Sequence, residues 1–351
     1  MVCGQVIVAC LILNEWAGGA AASLLRNPED SNSSTRFQYS PPSPAMIDAH
    51  SHVLPNVNGH VGDGPTRGIG HGRIKVGDNI ISVMPDYGDT TGFTAAMSVA
   101  ELDAAGIEQT VLLQGPFWGE CNEFAAAAVR QYPDRFIAQA YFDPWTDGWQ
   151  TRLDRFLETP EFRGVKIEFS VPTGLSGVHP GARLDDPELN PAWALLQREN
   201  RVLTLDLGDV GSASYQTDAV AHIATGHPDL TVVICHLGQP GPALAGNAAL
   251  AGLWQAQIEL GKLPNVFFDA ASLPSFFQDE GDPFPSCRDY IERAIDIVGP
   301  EKIMWGSDIP GNLTVCSYVR LVELAHTHTD FLSTAEQALV LEANAKRVYG
   351  K

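Results

Sequence analysis

Long apolar runs are missing from this sequence: the run over residues 6–13 has eight residues, far short of the roughly 20 that a spanning helix needs. Basic residues are scarce as well. Against 42 Asp and Glu stand 22 Lys and Arg, for a formal net charge of -20. That balance argues against nucleic acid or an anionic membrane as the main partner, because both recruit cationic patches. Cysteine pairs are absent too: Cys3, Cys10, Cys121, Cys235, Cys287 and Cys316 are scattered, with no Cys-x-x-Cys spacing. This spacing argues against a thiolate zinc site, and in a chain this long the cysteines read as reduced thiols rather than a disulfide framework. No internal repeat is visible, which removes repeat architectures.

What is present describes an ordinary globular chain, 44% hydrophobic and 18% charged. Its 351 residues exceed the roughly 250 that one α/β barrel needs. Residues 27–44 are rich in Ser, Pro and Asn, a composition that reads as a linker. Residues 1–45 are expected to be an N-terminal extension, disordered or weakly docked to a cytoplasmic protein. The alternative is a secretory signal over residues 1–23, although no Lys or Arg precedes Arg26. The folded domain is expected over residues 46–351.

From Met46 onward, short apolar segments alternate with helical patterns, the signature of a parallel sheet with crossover helices. Strands are expected at 46–52, 109–114, 135–142, 164–169, 201–207, 230–235, 265–269 and 302–305, with helices at 120–131, 148–158 and 250–261 among them. Eight such units make a single-domain (β/α)8 TIM barrel. Residues 55–94 form a long Gly-rich stretch after the first strand. Its length marks it as functional, and it reads as a lid or hairpin over the active face.

Sites in such barrels lie at the carboxyl ends of the strands, and polar residues gather there. Strand one reads Ile47-Asp48-Ala49-His50-Ser51-His52. Alternation puts Asp48, His50 and His52 on one side, where two imidazoles can grip one divalent ion. Strand four carries Lys166 and Glu168 on one face, strand five carries Asp206, strand six ends at His236, and strand eight leads to Asp308. Any one of these is ordinarily a cap or an internal ion pair, as Lys166 with Glu168 would be. Together they imply a cation, because an unpaired buried carboxylate costs several kcal/mol. Arg73 and Lys75 in the long loop are candidates for a substrate carboxylate, or plain surface charges.

Asp48-Ala49-His50-Ser51-His52, His236-Leu237-Gly238 and Gly306-Ser307-Asp308-Ile309-Pro310 resemble the amidohydrolase superfamily. The likeness lies with its amidohydrolase-related branch of lactonases and carboxylate decarboxylases. It spans residues 46–349, with 264–269 and 299–305 fitting the late strands. The resemblance implies that His50, His52, Glu168 and Asp308 hold one divalent metal, zinc or manganese. It also implies Asp308 as general base and His236 as the group facing the substrate carbonyl, with Lys166, Asp206 and Arg73 as further ligand or substrate contacts. Many members place a histidine at strand five where this chain has Asp206, so the metal is held with unusual carboxylate character or is absent, as in some lactonases of the branch.

The activity so implied is metal-dependent hydrolysis of a lactone or related ester or amide in a small carboxylate-bearing molecule. The alternative is non-oxidative decarboxylation of an aromatic or unsaturated acid. Intact His50, where decarboxylases of the branch often carry Glu, favours hydrolysis. A ligand-binding barrel with a decayed site is the non-enzymatic reading. The partner is a small molecule, and self-association into a homo-oligomer is compatible with the sequence.

Overall fold

The structure, a computed structural model, describes residues 46–350. The expectations for residues 1–45 lie outside them. Eight parallel strands form the barrel: β1 (Ile47–Ser51), β6 (Gln109–Leu112), β7 (Phe136–Tyr141), β8 (Phe162–Glu168), β9 (Val202–Asp206), β10 (Val232–Ile234), β11 (Val266–Asp269) and β12 (Ile303–Met304). Each pairs with the next in chain order. Closure runs through the segment after β12: Ala49 N donates to Trp305 O at 3.0 Å, Asp308 N to His50 O at 2.7 Å and His52 N to Ile309 O at 2.8 Å. All eight expected strands are found.

Alternation along these strands separates two apolar sets. Ile47, Ala49, Val111, Leu113, Val233, Cys235 and Met304 fill the barrel, together with Tyr349 of the terminal helix Asn344–Tyr349. Val165, Ile167, Leu203, Leu205, Ile234 and Phe268 join the larger set beneath the helices, which include Asn122–Gln131, Trp149–Glu158 and Ala248–Ile258. Among the described residues no helix is long and apolar enough to cross a membrane.

One irregularity decides the site. Asp48 pairs with Thr110 and Ser51 with Leu112, so β1 spends one more residue than β6 between these pairs. Such a bulge re-aims the side chains that follow it. Before it, Ile47 and Ala49 point into the barrel, and Asp48 points out to the Tyr318 hydroxyl, 2.9 Å away on helix Tyr318–His328. After it, His50 turns inward to Asp269. Simple alternation placed Asp48 beside His50 and His52; the bulge separates them.

Residues 55–94 are more ordered than a lid or lone hairpin. They hold a four-stranded antiparallel sheet, β2 (Asn58–Val61), β3 (Gly64–Gly70), β4 (Arg73–Val76) and β5 (Asn79–Ser82), paired in that order. It sits on the loop after β6: Asn58 N donates to Trp118 O at 3.1 Å and His60 N to Pro116 O at 2.9 Å. The approach requires glycine at position 59, where a Cβ would lie 2.0 Å from Pro116 O and 2.5 Å from Phe117 O. Gly59→Ala should therefore unseat the sheet and cost about 1–3 kcal/mol, the usual range for overpacking. A lowered thermal midpoint checks this, and an unchanged one would show that the sheet yields freely.

Candidate active site

The bulge brings His50 into a fully buried position. Its Nδ1 lies 3.2 Å from Asp269 Oδ2. Burial opposes ionisation of Asp269, but His50 and His236 outweigh it and hold the carboxyl below its usual range. Nδ1 is therefore the donor, and Nε2 carries a lone pair. Burial, the largest influence on His50 itself, lowers its pKa to about 4, so the ring is neutral. Its Nε2 has no hydrogen-bond partner.

His52 is oriented by the same logic. Its Nδ1 sits 2.6 Å from Leu113 O, which can only accept, so this nitrogen donates. The other nitrogen, Nε2, faces Asp308 Oδ1 at 3.0 Å, and His50 Nε2 lies 3.7 Å from the same oxygen. His50, His52 and Asp308 thus offer three ligand atoms within 4.8 Å of one another. Asp269 on His50 Nδ1 and the Leu113 carbonyl on His52 Nδ1 are the usual supports for metal-bound imidazoles.

Asp308 sits in the left-handed region, φ 59°, on the closing segment after β12. Burial raises its pKa, but the surrounding imidazoles, His52 at 3.0 Å foremost, hold it well below the ordinary carboxylate range. Its side chain is 21% exposed, against 0% for His50 and 5% for His52. Solvent and substrate therefore reach the cluster from the Asp308 side. Trp118 flanks His52 with ring centroids 5.6 Å apart, and Phe276 meets the His236 ring edge-on at 5.9 Å.

Glu168 and Asp206 are placed differently from His50, His52 and Asp308. Lys166 Nζ approaches Glu168 Oε2 at 3.2 Å, and Ser170 Oγ donates to Glu168 Oε1 at 2.6 Å. Burial and the neighbouring Asp206 push the Glu168 carboxyl upward, while His236 and Lys166 draw Asp206 down against its own burial. Asp206 Oδ2 accepts from His236 Nε2 at 2.9 Å. Burial alone would lower His236, but Asp206 reverses this and raises its pKa to about 10. Lys166 stays protonated because Glu168 and other carboxylates outweigh its burial.

The residues present fit a divalent cation. Four buried or part-buried carboxylates (Glu168, Asp206, Asp269, Asp308) face two cationic side chains, Lys166 and His236. The unpartnered His50 Nε2 points at the carboxylate that His52 also faces. A dication there would satisfy that nitrogen and offset the excess negative charge. Zinc bound by two imidazoles and a carboxylate keeps a fourth position open for water or substrate.

The structure brings together His50, His52, Asp308, His236, Asp206, Glu168 and Lys166. Arg73 stands apart, exposed on β4, with Asp86 among its electrostatic neighbours. Lys75 is likewise exposed on that strand. Sequence reasoning missed Asp269, although it closes Val266-Phe267-Phe268-Asp269 as Asp206 closes β9. It also missed the Leu113 carbonyl, which no side-chain pattern can signal.

Comparison with known proteins places this geometry. The uncharacterized protein y4mH of Sinorhizobium fredii is 24% identical over 201 residues, covering 56% of this chain and 64% of that protein. The chain thus spans less than two thirds of the length of this curated relative. A probable 2-pyrone-4,6-dicarboxylic acid hydrolase from Acinetobacter baumannii, solved with citric acid, superposes with a TM-score of 0.61 at 19% identity, over 87% of this chain and 99% of that one. An amidohydrolase from Burkholderia multivorans with bound zinc gives 0.64 at 20% identity, over the same shares. A 4-oxalomesaconate hydratase from Rhodopseudomonas palustris gives 0.52 at 20% identity, over 72% of this chain and 79% of that one. These structures share the fold. The Amidohydrolase family model matches residues 47–351, nearly the whole described barrel with its His-x-His strand and terminal aspartate, and the chain belongs to that family.

Proposed function

We propose that this protein is a hydrolase that opens a lactone, or a related ester or amide, in a small carboxylate-bearing molecule, with one divalent metal held by His50, His52 and Asp308. The observation that carries the reading is the convergence of His50 Nε2, which has no hydrogen-bond partner, and His52 Nε2 on Asp308 Oδ1. When bound, zinc or manganese polarises a carbonyl and lowers the pKa of water towards about 7. With Oδ1 turned to the imidazoles, Asp308 Oδ2 is left to take a proton from the attacking water. The same oxygen returns it to the leaving alkoxide or amine, the two-way duty of a general acid/base. The charges of His236 and Lys166 favour both a substrate carboxylate and the oxyanion that develops at the carbonyl. Trp118 and Phe276 supply apolar walls suited to a planar substrate. The neighbours that carry a dicarboxylic acid hydrolase name, citric acid and zinc support the substrate class and the metal.

The test is metal analysis of protein purified without chelator, with assays on lactone and aromatic-carboxylate panels. One metal per chain, with acid release from a carboxylated lactone, is the expected result. Release of CO2 would replace this reading with decarboxylation. Absence of stoichiometric metal would remove the ligand assignment.

A further inference from the structure

Both carboxylate oxygens of Asp206 accept hydrogen bonds. Its Oδ1 accepts from Gly208 N at 3.1 Å, and its Oδ2 accepts from His236 Nε2 at 2.9 Å. The strand register sets Glu168 beside it. Asp206 is not part of the group formed by the ligand atoms of His50, His52 and Asp308.

His236 is engaged just as completely. Its backbone N donates to Asp269 Oδ1 at 2.9 Å, and its Nδ1 faces Ala271 O at 3.3 Å. His236 and Leu237 both hold left-handed backbone, φ 59° and 54°, a conformation that persists in non-glycine residues only when surrounding contacts enforce it. The His236 ring stacks on His50, with centroids 4.8 Å apart and planes 27° apart. Asp269 ties the two histidines together, because its Oδ2 receives His50 Nδ1 while its Oδ1 receives the His236 backbone. Neither ring nitrogen of His236 is free to ligate.

We infer that Asp206 is a positioning residue: it anchors Nε2 of His236 and fixes that ring against His50, and it does not ligate the metal. The second-half carboxylates Glu168 and Asp206 then form a polar platform under His236. The metal rests on three protein ligands, His50, His52 and Asp308. The consequence for activity rests on the hydrolase reading above, whereas the placement of the His236 ring does not.

The experiment compares Asp206→Asn, His236→Gln, the double variant and His50→Ala in the full chain. Zinc titration of Asp206→Asn should give one zinc per chain with affinity within about threefold of wild type, while His50→Ala loses the zinc. For activity on a carboxylated lactone that the panel shows to be hydrolysed, kcat of Asp206→Asn should fall about 100-fold, the upper range for a group acting through a neighbour. Its KM should change by less than about threefold, because the loss falls on the transition state. The double variant should be no slower than His236→Gln, as expected when one residue acts through the other. Nitrogen-15 spectra of the histidine rings should show His236 Nε2 losing its proton in Asp206→Asn.

Loss of zinc from Asp206→Asn would overturn the inference, as would an unchanged His236 ring signal. If Asp206→Asn does not fold, a zinc-loaded crystal structure of the wild type decides, and Asp206 in the coordination sphere refutes the positioning role. If the wild type has neither zinc nor lactone hydrolysis, the hydrolase reading fails while the ring spectra still judge Asp206.

Discussion

Asp308→Asn should lower kcat by about 10³- to 10⁴-fold, towards the top of what a positioned general base contributes. The substitution is nearly isosteric, and the backbone bond from Asp308 N to His50 O at 2.7 Å does not involve the side chain. The closing segment therefore keeps its place. What changes is chemistry: an amide cannot accept a proton from water at neutral pH, and its Nδ2 offers hydrogens where the carboxylate offered lone pairs. The cluster also loses a negative charge that the protonated His236 favours. Binding of a carboxylate substrate need not weaken, because Lys166 and His236 remain, so KM should move far less than kcat. Steady-state kinetics with a thermal midpoint as control will measure this. A variant retaining a tenth or more of wild-type kcat would displace Asp308 from the role of base.

Much of this was legible because barrel strands buried on both faces announce themselves as short apolar runs. Val165-Lys166-Ile167-Glu168 and Leu203-Thr204-Leu205-Asp206 both keep their alternation in the structure, with the polar residues inward. The Lys166–Glu168 ion pair at 3.2 Å follows directly from that spacing. Less legible was β1, where a one-residue bulge breaks the alternation and sends Asp48 outward to Ser307 and Tyr318. Bulges depend on register against a partner strand, which a single segment does not display. The antiparallel sheet over β2–β5 reads in sequence as a lid or hairpin because its glycines obscure strand patterning. Those same glycines, Gly59 and Gly119 among them, allow its close seating on the loop after β6. Roles within the site were the least legible. Strand position alone makes Asp206 and Glu168 candidate ligands, and it does not display their contacts with His236, Ser170 and Lys166.

Asp269→Asn should lower metal affinity by about 100-fold, at the upper end for a residue that orients a ligand. In the native site Asp269 Oδ2 accepts from His50 Nδ1 at 3.2 Å, which leaves the lone pair on Nε2. An asparagine there keeps its oxygen for the two backbone donors that Asp269 Oδ1 serves, His236 N at 2.9 Å and Ala271 N at 3.2 Å. Its amide NH2 must then face His50 Nδ1. Two donors cannot oppose each other, so His50 would take the other tautomer, with its proton on Nε2. That proton occupies the position from which His50 meets Asp308 and the metal. The fold should survive, since the backbone contacts of Asp269 are retained. Cys235→Ala is the matched control. The thiol lies in the same buried group as His50 and Asp269, but burial holds it protonated well above its usual range. Its removal should leave affinity within about threefold, because a protonated thiol does not ligate. Competition titration with a chromogenic chelator separates the two variants. Equal affinities in Asp269→Asn and wild type would show that the tautomer of His50 does not control the site.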